Sequence, residues 1–486
     1  MKAREVLFLL LLTVGGFFVL GYHPYADDAT FYIPAVKKLL DPSLYPRSAE
    51  FFESHARLTL FPNFVAWTVR VLHLSLGAVL LLLHVAALFL FLLACWKVSC
   101  LCFERPEARW CAVTVVAATL TVPVTGTALF LFDTFLNPRS ISAFAVMFAV
   151  AAALEERYVS AGFWLVAAGI VHPLMPVYGV FFILLLAWNR RGERVAVPAA
   201  RTAAPAVAPL GISFDPPTPA YHQAALRHNF HYVVKWEWYQ WAGIFAPVGV
   251  FLWFHRIARE RRLGNVALIC RTLVPFALVS LAAALVLDIP ARFEALARFQ
   301  PLRSLYLTYV LMFILVGGML GEFVLKRSPV RWLLLFVPLC AGLFAFQLHT
   351  YQASAHFEWP GATSRNQWVQ AFDWVRQNTP RDAYFALNPL HMELAGEDVQ
   401  SFRAIAERSM LADTVKDSGA VAMFPSLAEE WWDQVSAQDG WKAFQTADFE
   451  RLKSRYGVDW VVVEQPGVAG LDCPYQNPAV RVCRLN

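Results

Sequence analysis

Residues 6–20 read VLFLLLLTVGGFFVL, and residues 21–32 read GYHPYADDATFY. An uncharged apolar run that gives way at once to aromatic residues and an acidic pair decides the architecture. A bilayer core is about 30 Å thick and a helix rises about 1.5 Å per residue, so apolar runs of about 17 to 25 residues are candidates to span it. Lys2 and Arg4 precede the run. Positive residues stay in the cytoplasm, so the N-terminus is expected inside and the acidic pair outside. Ala26 and Ala29 are small, as a cleaved signal peptide would require, but the run leads into further apolar stretches, which favours a retained anchor.

Ten more apolar runs follow, near 76–95, 110–131, 141–154, 158–171, 174–188, 196–213, 243–254, 265–287, 304–321 and 332–348. The fold expected is therefore mainly α: a polytopic membrane helix bundle of about eleven spans. Residues 58–75 are apolar as well, but Arg70 and His73 suit a helix lying at the interface.

Composition agrees. Of 486 residues 58% are hydrophobic and 16% charged, against roughly 25% charged in a soluble domain, which excludes a cytosolic globular enzyme. The first 348 residues carry a net charge of +11 and the last 138 a net charge of −6. The chain thus reads as a membrane domain, 1–348, followed by a small C-terminal α/β domain, 349–486. The segments expected inside (1–5, 96–109, 155–158, 189–195, 255–262 and 322–331) hold 16 Lys and Arg in 48 residues, whereas the five outer loops (21–60, 133–139, 172–173, 214–242 and 288–303) hold 10 in 94. That bias makes the protein integral and multi-pass, with an extracytoplasmic tail. The positive charge sits in short loops, so no nucleic-acid partner is expected and membrane lipids are.

Cysteine usage fits an outer tail. Cys473 and Cys483 are the only two of eight cysteines in it, and they are expected to form a disulfide. The other six show no metal-site spacing. Within the tail, residues 366–377 (NQWVQAFDWVRQ) carry a helical stripe and 383–387 (AYFAL) read as a strand. A helix from Thr446 to Arg455 closes at Gly457, and strands follow at 458–463 and near 480–484.

The loop 21–60 is 40 residues long, where a connection needs about two to eight. Asp27 and Asp28 sit at its start. Such a pair could deprotonate a hydroxyl, or hold a divalent cation through hard oxygens. Equally, either Asp could cap the amphipathic helix that runs to Leu40.

A leading anchor, a long first outer loop with an acidic pair, about eleven spans and an outer C-terminal domain together resemble GT-C-type integral membrane glycosyltransferases. That superfamily includes oligosaccharyltransferases, protein mannosyltransferases and aminoarabinose transferases. The local match is Asp27-Asp28 with Ala29-Thr30-Phe31-Tyr32. The resemblance implies a sugar donor linked to polyprenyl phosphate, a glycan, lipid or protein acceptor, and a catalytic acid best matched by Asp27, with Asp28 second. His23 and Tyr32, which flank the pair, become candidate substrate contacts. Phosphate calls for arginine, whose planar fork binds two oxygens, and Arg303 and Arg139 both fall at expected outer ends of spans. His172-Pro173 interrupts an apolar stretch, so His172 either faces a water-filled cavity or is satisfied by a neighbouring carbonyl.

Other motifs point less sharply. Trp431-Trp432-Asp433 has the letters of an oligosaccharyltransferase acceptor motif but lies on an expected tail helix, and reads as coincidence. Arg408-Ser409 and Lys416-Asp417 read as a solvated face sooner than as an acceptor groove. The loop 215–241 holds His222, His228, His231 and three tryptophans, whose convergence would make a sugar-stacking surface and whose dispersal an aromatic belt. The alternative class is a transporter, flippase or non-catalytic envelope assembly protein. A 138-residue outer tail and a 40-residue first loop are poorly explained by it, and no paired hydropathy repeats are present.

Overall fold

In lipid the backbone must satisfy its own polar groups, so an apolar run free of breakers forms a helix. The computed structural model describes residues 2–194, 217–289 and 291–485. Among the described residues six helices are long and apolar enough to cross a membrane: Ala3–Leu20, Leu76–Cys102, Trp238–Glu260, Gly264–Asp288, Pro301–Leu325 and Pro329–Thr350. Pro329–Thr350 turns Val330, Leu333, Leu334 and Val337 outward, and Gln347 is its buried residue. An apolar outer face of this extent is foreign to water-soluble proteins and gives the chain its transmembrane character.

Six of the eleven expected runs thus form full-length helices. Pro138–Leu154 and Tyr158–Val171 are apolar but shorter, and Leu174–Arg194 ends in charge. The run 196–213 lies outside the described residues. The run 110–131 is corrected: its helix, Pro106–Ala118, stops at Thr119, and a hairpin follows, β1 (Pro123–Val124) paired with β2 (Leu129–Phe130). Pro123 cannot continue a helix, and Gly126 (φ 61°) and Ala128 (φ 55°) adopt left-handed backbone that turns the chain. Between 58 and 75 the helix Phe61–Leu72 buries Phe61, Val65 and Thr68 on one face and exposes Phe64, Trp67 and Val71 on another. It is apolar on both.

The C-terminal domain carries a five-stranded sheet, ordered β4 (Ser409–Met410), β3 (Tyr384–Leu387), β5 (Trp460–Glu464), β7 (Val480–Arg484) and β6 (Asp472–Gln476). The first two pairings are parallel and the last two antiparallel. β5 is apolar up to Glu464 because both faces are covered: Trp460 and Val462 pack with Trp368 and Phe372 on one side, Val461 and Val463 with Phe449 and Leu452 on the other. Asn366 caps the helix Gln367–Asn378, and Gly457 (φ 71°) ends Thr446–Tyr456. Cys473 and Cys483 form a disulfide between β6 and β7.

What positions the site is the union of loop 21–60 with this domain. The loop folds into helices Ala29–Leu40 and Glu50–Ala56. Lys37 Nζ donates to the Ala404 carbonyl (2.7 Å) and to Glu407 (2.6 Å), and the Tyr45 hydroxyl donates to the Arg403 carbonyl (2.8 Å). Tyr22 bridges to Phe357 and Ala26 to Gln400. The loop is therefore held to the tail along most of its length.

Candidate active site

Asp27 and Asp28 stand where the extended start of the loop turns into the helix Ala29–Leu40. Asp27 has φ 55°, in the left-handed region, which costs an L-residue about 1 to 2 kcal/mol and which Asp tolerates better than most. Its N–H donates to the Val399 carbonyl of the tail at 2.8 Å, which holds the turn. Asp28 occupies the cap position, yet its side chain accepts no hydrogen bond from the helix amides. Both carboxylates are engaged elsewhere.

Arg139 and Lys416 engage them. Asn137 caps the helix Pro138–Leu154 by accepting from the Ser140 N–H (3.0 Å). Arg139, in the first turn of that helix, reaches Asp28 Oδ2 (3.0 Å) with one amino group and Asp133 Oδ2 (3.1 Å) with the other. Asn137 Nδ2 also donates to Asp133 Oδ2, at 2.6 Å. From the tail, Lys416 Nζ donates to Asp28 Oδ1 at 3.0 Å and to Asp27. Burial alone would raise both carboxyls. The Lys416 and Arg139 charges nevertheless hold Asp28 well below the usual carboxylate range, whereas Asp27 stays raised, by burial and by the Asp28 charge beside it. Two adjacent acids are thus pushed apart, one fixed as an anion and one poised to take a proton.

Arg303 faces the pair from another element. Gln300 (φ 48°) turns the chain into Pro301–Ser304, and the Tyr178 hydroxyl pins that turn through the Phe299 and Gln300 carbonyls (2.9 and 2.8 Å). The guanidinium lies over the Phe230 ring, 5.0 Å from its centroid. Its buried Nε has no hydrogen-bond partner, and it forms no ion pair among the described residues. A cation–π contact offsets part of the cost of burying this charge and leaves its donors for an anion.

These groups line one cavity of about 310 Å³. Each of the five stretches read as outer loops contributes to it, through Asp27, Arg139, His172, His228 and Arg303, and the tail contributes Lys416. Tyr32 is also in its wall. A separate cavity of about 470 Å³ is lined by Glu104, Glu156, Arg190 and Arg262, which come from segments read as inner.

Of the residues singled out from sequence, Asp27, Asp28, Tyr32, Arg139, His172 and Arg303 are brought together. His23 is not. It is fully buried, stacked on Tyr351 (3.7 Å between ring centroids) and paired with Glu358 (3.2 Å), because the loop's first residues are clamped beneath the tail. The solvated-face reading of 408–417 is also corrected. Arg408 is buried and donates to the Arg376 and Thr379 carbonyls (2.9 and 2.7 Å), Asp417 is 0% exposed, and Lys416 turns into the cavity. Trp431 is buried and donates to the Asp413 carbonyl (2.9 Å), while Asp433 meets Arg455 and Tyr456 away from the cavity. The tryptophans of 215–241 do not line the cavity either; His228, Phe230 and His231 do.

Sequence reasoning missed His55, and placed Lys416 on a solvated face sooner than in a groove. Burial pushes His55 down to about 4 and His228 to about 3, so both line the cavity as neutral rings near pH 7. Among the described residues no group of three or more His, Cys, Asp or Glu side chains could hold a metal ion. No protein-family model matches the chain, and no curated protein matches it significantly.

Proposed function

We propose that the protein is an inverting membrane glycosyltransferase that uses a sugar linked to polyprenyl phosphate. Asp27 accepts the proton of an acceptor hydroxyl as that oxygen bonds to the anomeric carbon from the face opposite the phosphate. The bond from carbon to phosphate oxygen breaks, its electron pair leaves with the phosphate, and Arg303 holds the anion produced. Asp28, kept ionised by Lys416 and Arg139, raises the proton affinity of Asp27 and fixes the geometry. The observation that carries this reading is the meeting, in one cavity, of a raised carboxyl and a guanidinium with no ion-pair partner among the described residues. A proton acceptor and an anion holder lining one space are what the transfer requires.

The finer topology belongs to the same proposal: about eleven spans, a cytoplasmic N-terminus and an extracytoplasmic C-terminal domain. It is supported by the charge bias and by the way outer stretches line one cavity and inner stretches the other.

Mass spectrometry of envelope lipids and glycans tests the function in a strain lacking the protein. A glycan modification should be missing, and should return with the wild-type chain. Asn caps a helix about as well as Asp but cannot act as a base, so Asp27→Asn should insert normally and lower transfer at least about a hundredfold. Full restoration by the Asp27→Asn, Asp28→Asn double variant would reject the acidic pair as reacting centre and leave transport or assembly as the role.

A further inference from the structure

An acidic pair in the wall of a cavity invites a divalent cation, yet three of its four oxygens are already engaged. Asp28 gives one oxygen to Lys416 and the other to Arg139, Asp27 gives one to Lys416, and Asp133 is taken by Arg139 and Asn137. Magnesium needs six oxygens in near-ideal octahedral array and calcium six to eight. Among the described residues no group of three or more His, Cys, Asp or Glu side chains is placed to hold a metal ion, and an ammonium already stands between the carboxylates. The residues therefore do not fit a metal.

We propose that Lys416 is the built-in cation of this centre: its ammonium takes the place between Asp27 and Asp28 that a divalent metal would occupy, so the pair works without metal and only with the C-terminal domain docked. This rests on the reading of the pair as the reacting centre. Lys416 is a positioning residue, acting through the two carboxylates.

Three features support the assignment. Lys416 is anchored at its backbone, with its N–H donating to Asp413 Oδ1 at 2.6 Å. The next residue, Asp417, is locked to Arg403 by two hydrogen bonds of 2.7 Å, with exposures of 0% and 2%, so the peptide that delivers the ammonium is fixed to the tail's interior. The carboxylates hold the Lys416 amine above its ordinary value despite burial, which keeps it charged across the physiological range. A point charge on a flexible stem can also follow small shifts of the two acids as one of them takes up a proton.

Full-length protein in lipid nanodiscs, titrated with Mn²⁺ and followed by electron paramagnetic resonance, should show no stoichiometric ion that depends on Asp27 and Asp28. Transfer should be indifferent to EDTA. Lys416→Gln should fold and lower transfer at least about a hundredfold, the scale of losing one fixed charge at a reacting centre, while Lys416→Arg should recover most of it. One Mn²⁺ per chain, lost in the Asp27→Asn, Asp28→Asn variant, would overturn the proposal, as would near-normal transfer by Lys416→Gln. If Lys416→Gln does not fold, the Mn²⁺ titration of the wild type decides. That titration needs no sugar donor, so a protein that excludes Mn²⁺ yet transfers no sugar would refute the proposed function and not the assignment of the cation.

Discussion

Lys416 and Asp417 are neighbours in the chain and sit in opposite kinds of ion pair. Asp417 meets Arg403 fork to fork, both buried, with the Asp413 N–H as a further donor at 2.9 Å. Nothing is left over for a ligand. Lys416 belongs to an open network: its side chain is 15% exposed, it serves two acids of the first loop, and the same cavity is lined by Arg303, without an ion-pair partner among the described residues. Burial and charge are common to both. What separates scaffold from site is whether the donors and acceptors are closed among themselves or leave a charge facing space.

Breaking the closed pair should give the largest change in stability. Arg403→Met strands a buried carboxylate and should cost about 3 to 5 kcal/mol, read as a fall in the thermal midpoint of the C-terminal domain within the full chain. Arg403→Met combined with Asp417→Leu should recover much of that loss, because a buried pair replaced whole leaves no orphan charge. On the open side, Arg303→Ala should leave folding intact and weaken donor binding by about 10- to 100-fold, the equivalent of a charged hydrogen bond of about 1.5 to 3 kcal/mol. It should appear in KM before kcat.

A pH profile sharpens the contrast further. In the proposed transfer Asp27 works as a base only when ionised, so transfer should fall as pH drops through its raised value. The Asp28 charge contributes to that rise, and Asp28→Asn should therefore move the acid limb to lower pH. A limb that stays in place or moves upward would contradict Asp27 as the titrating group. The smallest effect is expected at Asp433, whose partners are the exposed Arg455 and the half-buried Tyr456. Asp433→Ala should change stability by less than about 1 kcal/mol and leave transfer untouched.

Much of this was legible in sequence wherever a local pattern has a physical period. Residues 158–171 were read as one apolar run and form Tyr158–Val171, and 480–484 form β7. The loop at 21–60 was too long for a connector, and its acidic pair was singled out by position after an apolar run, Arg139 and Arg303 by the phosphate the resemblance implies and their place at expected outer ends of spans, and His172 by its interruption of an apolar stretch. The rest depended on contacts that no local pattern encodes. Lys416 lies 388 residues from Asp28, and a Lys-Asp dipeptide in a polar stretch looks the same whether it faces water or a cavity. The run 110–131 looked continuous because Thr and Gly lower hydropathy little, although Pro123 and Gly126 marked the hairpin. Asp28 was rightly placed at a helix start. Its orientation, away from the helix amides, could not be read from its place in the chain.

The separation of Asp28 from Lys416 bears on how the protein is made. Chains emerge N-terminus first, at about 5 to 20 residues per second, so the membrane helices and first loop leave the ribosome well before Lys416 does. During that interval Asp27 lacks the Val399 carbonyl that holds its turn, and Lys37 lacks the Ala404 and Glu407 acceptors. A nascent chain therefore carries the acids without the tail contacts that organise them. A chain terminated ahead of Asp398 could still insert its apolar helices, but without the finished centre, so synthesis of the tail acts as the final step of assembly at the membrane.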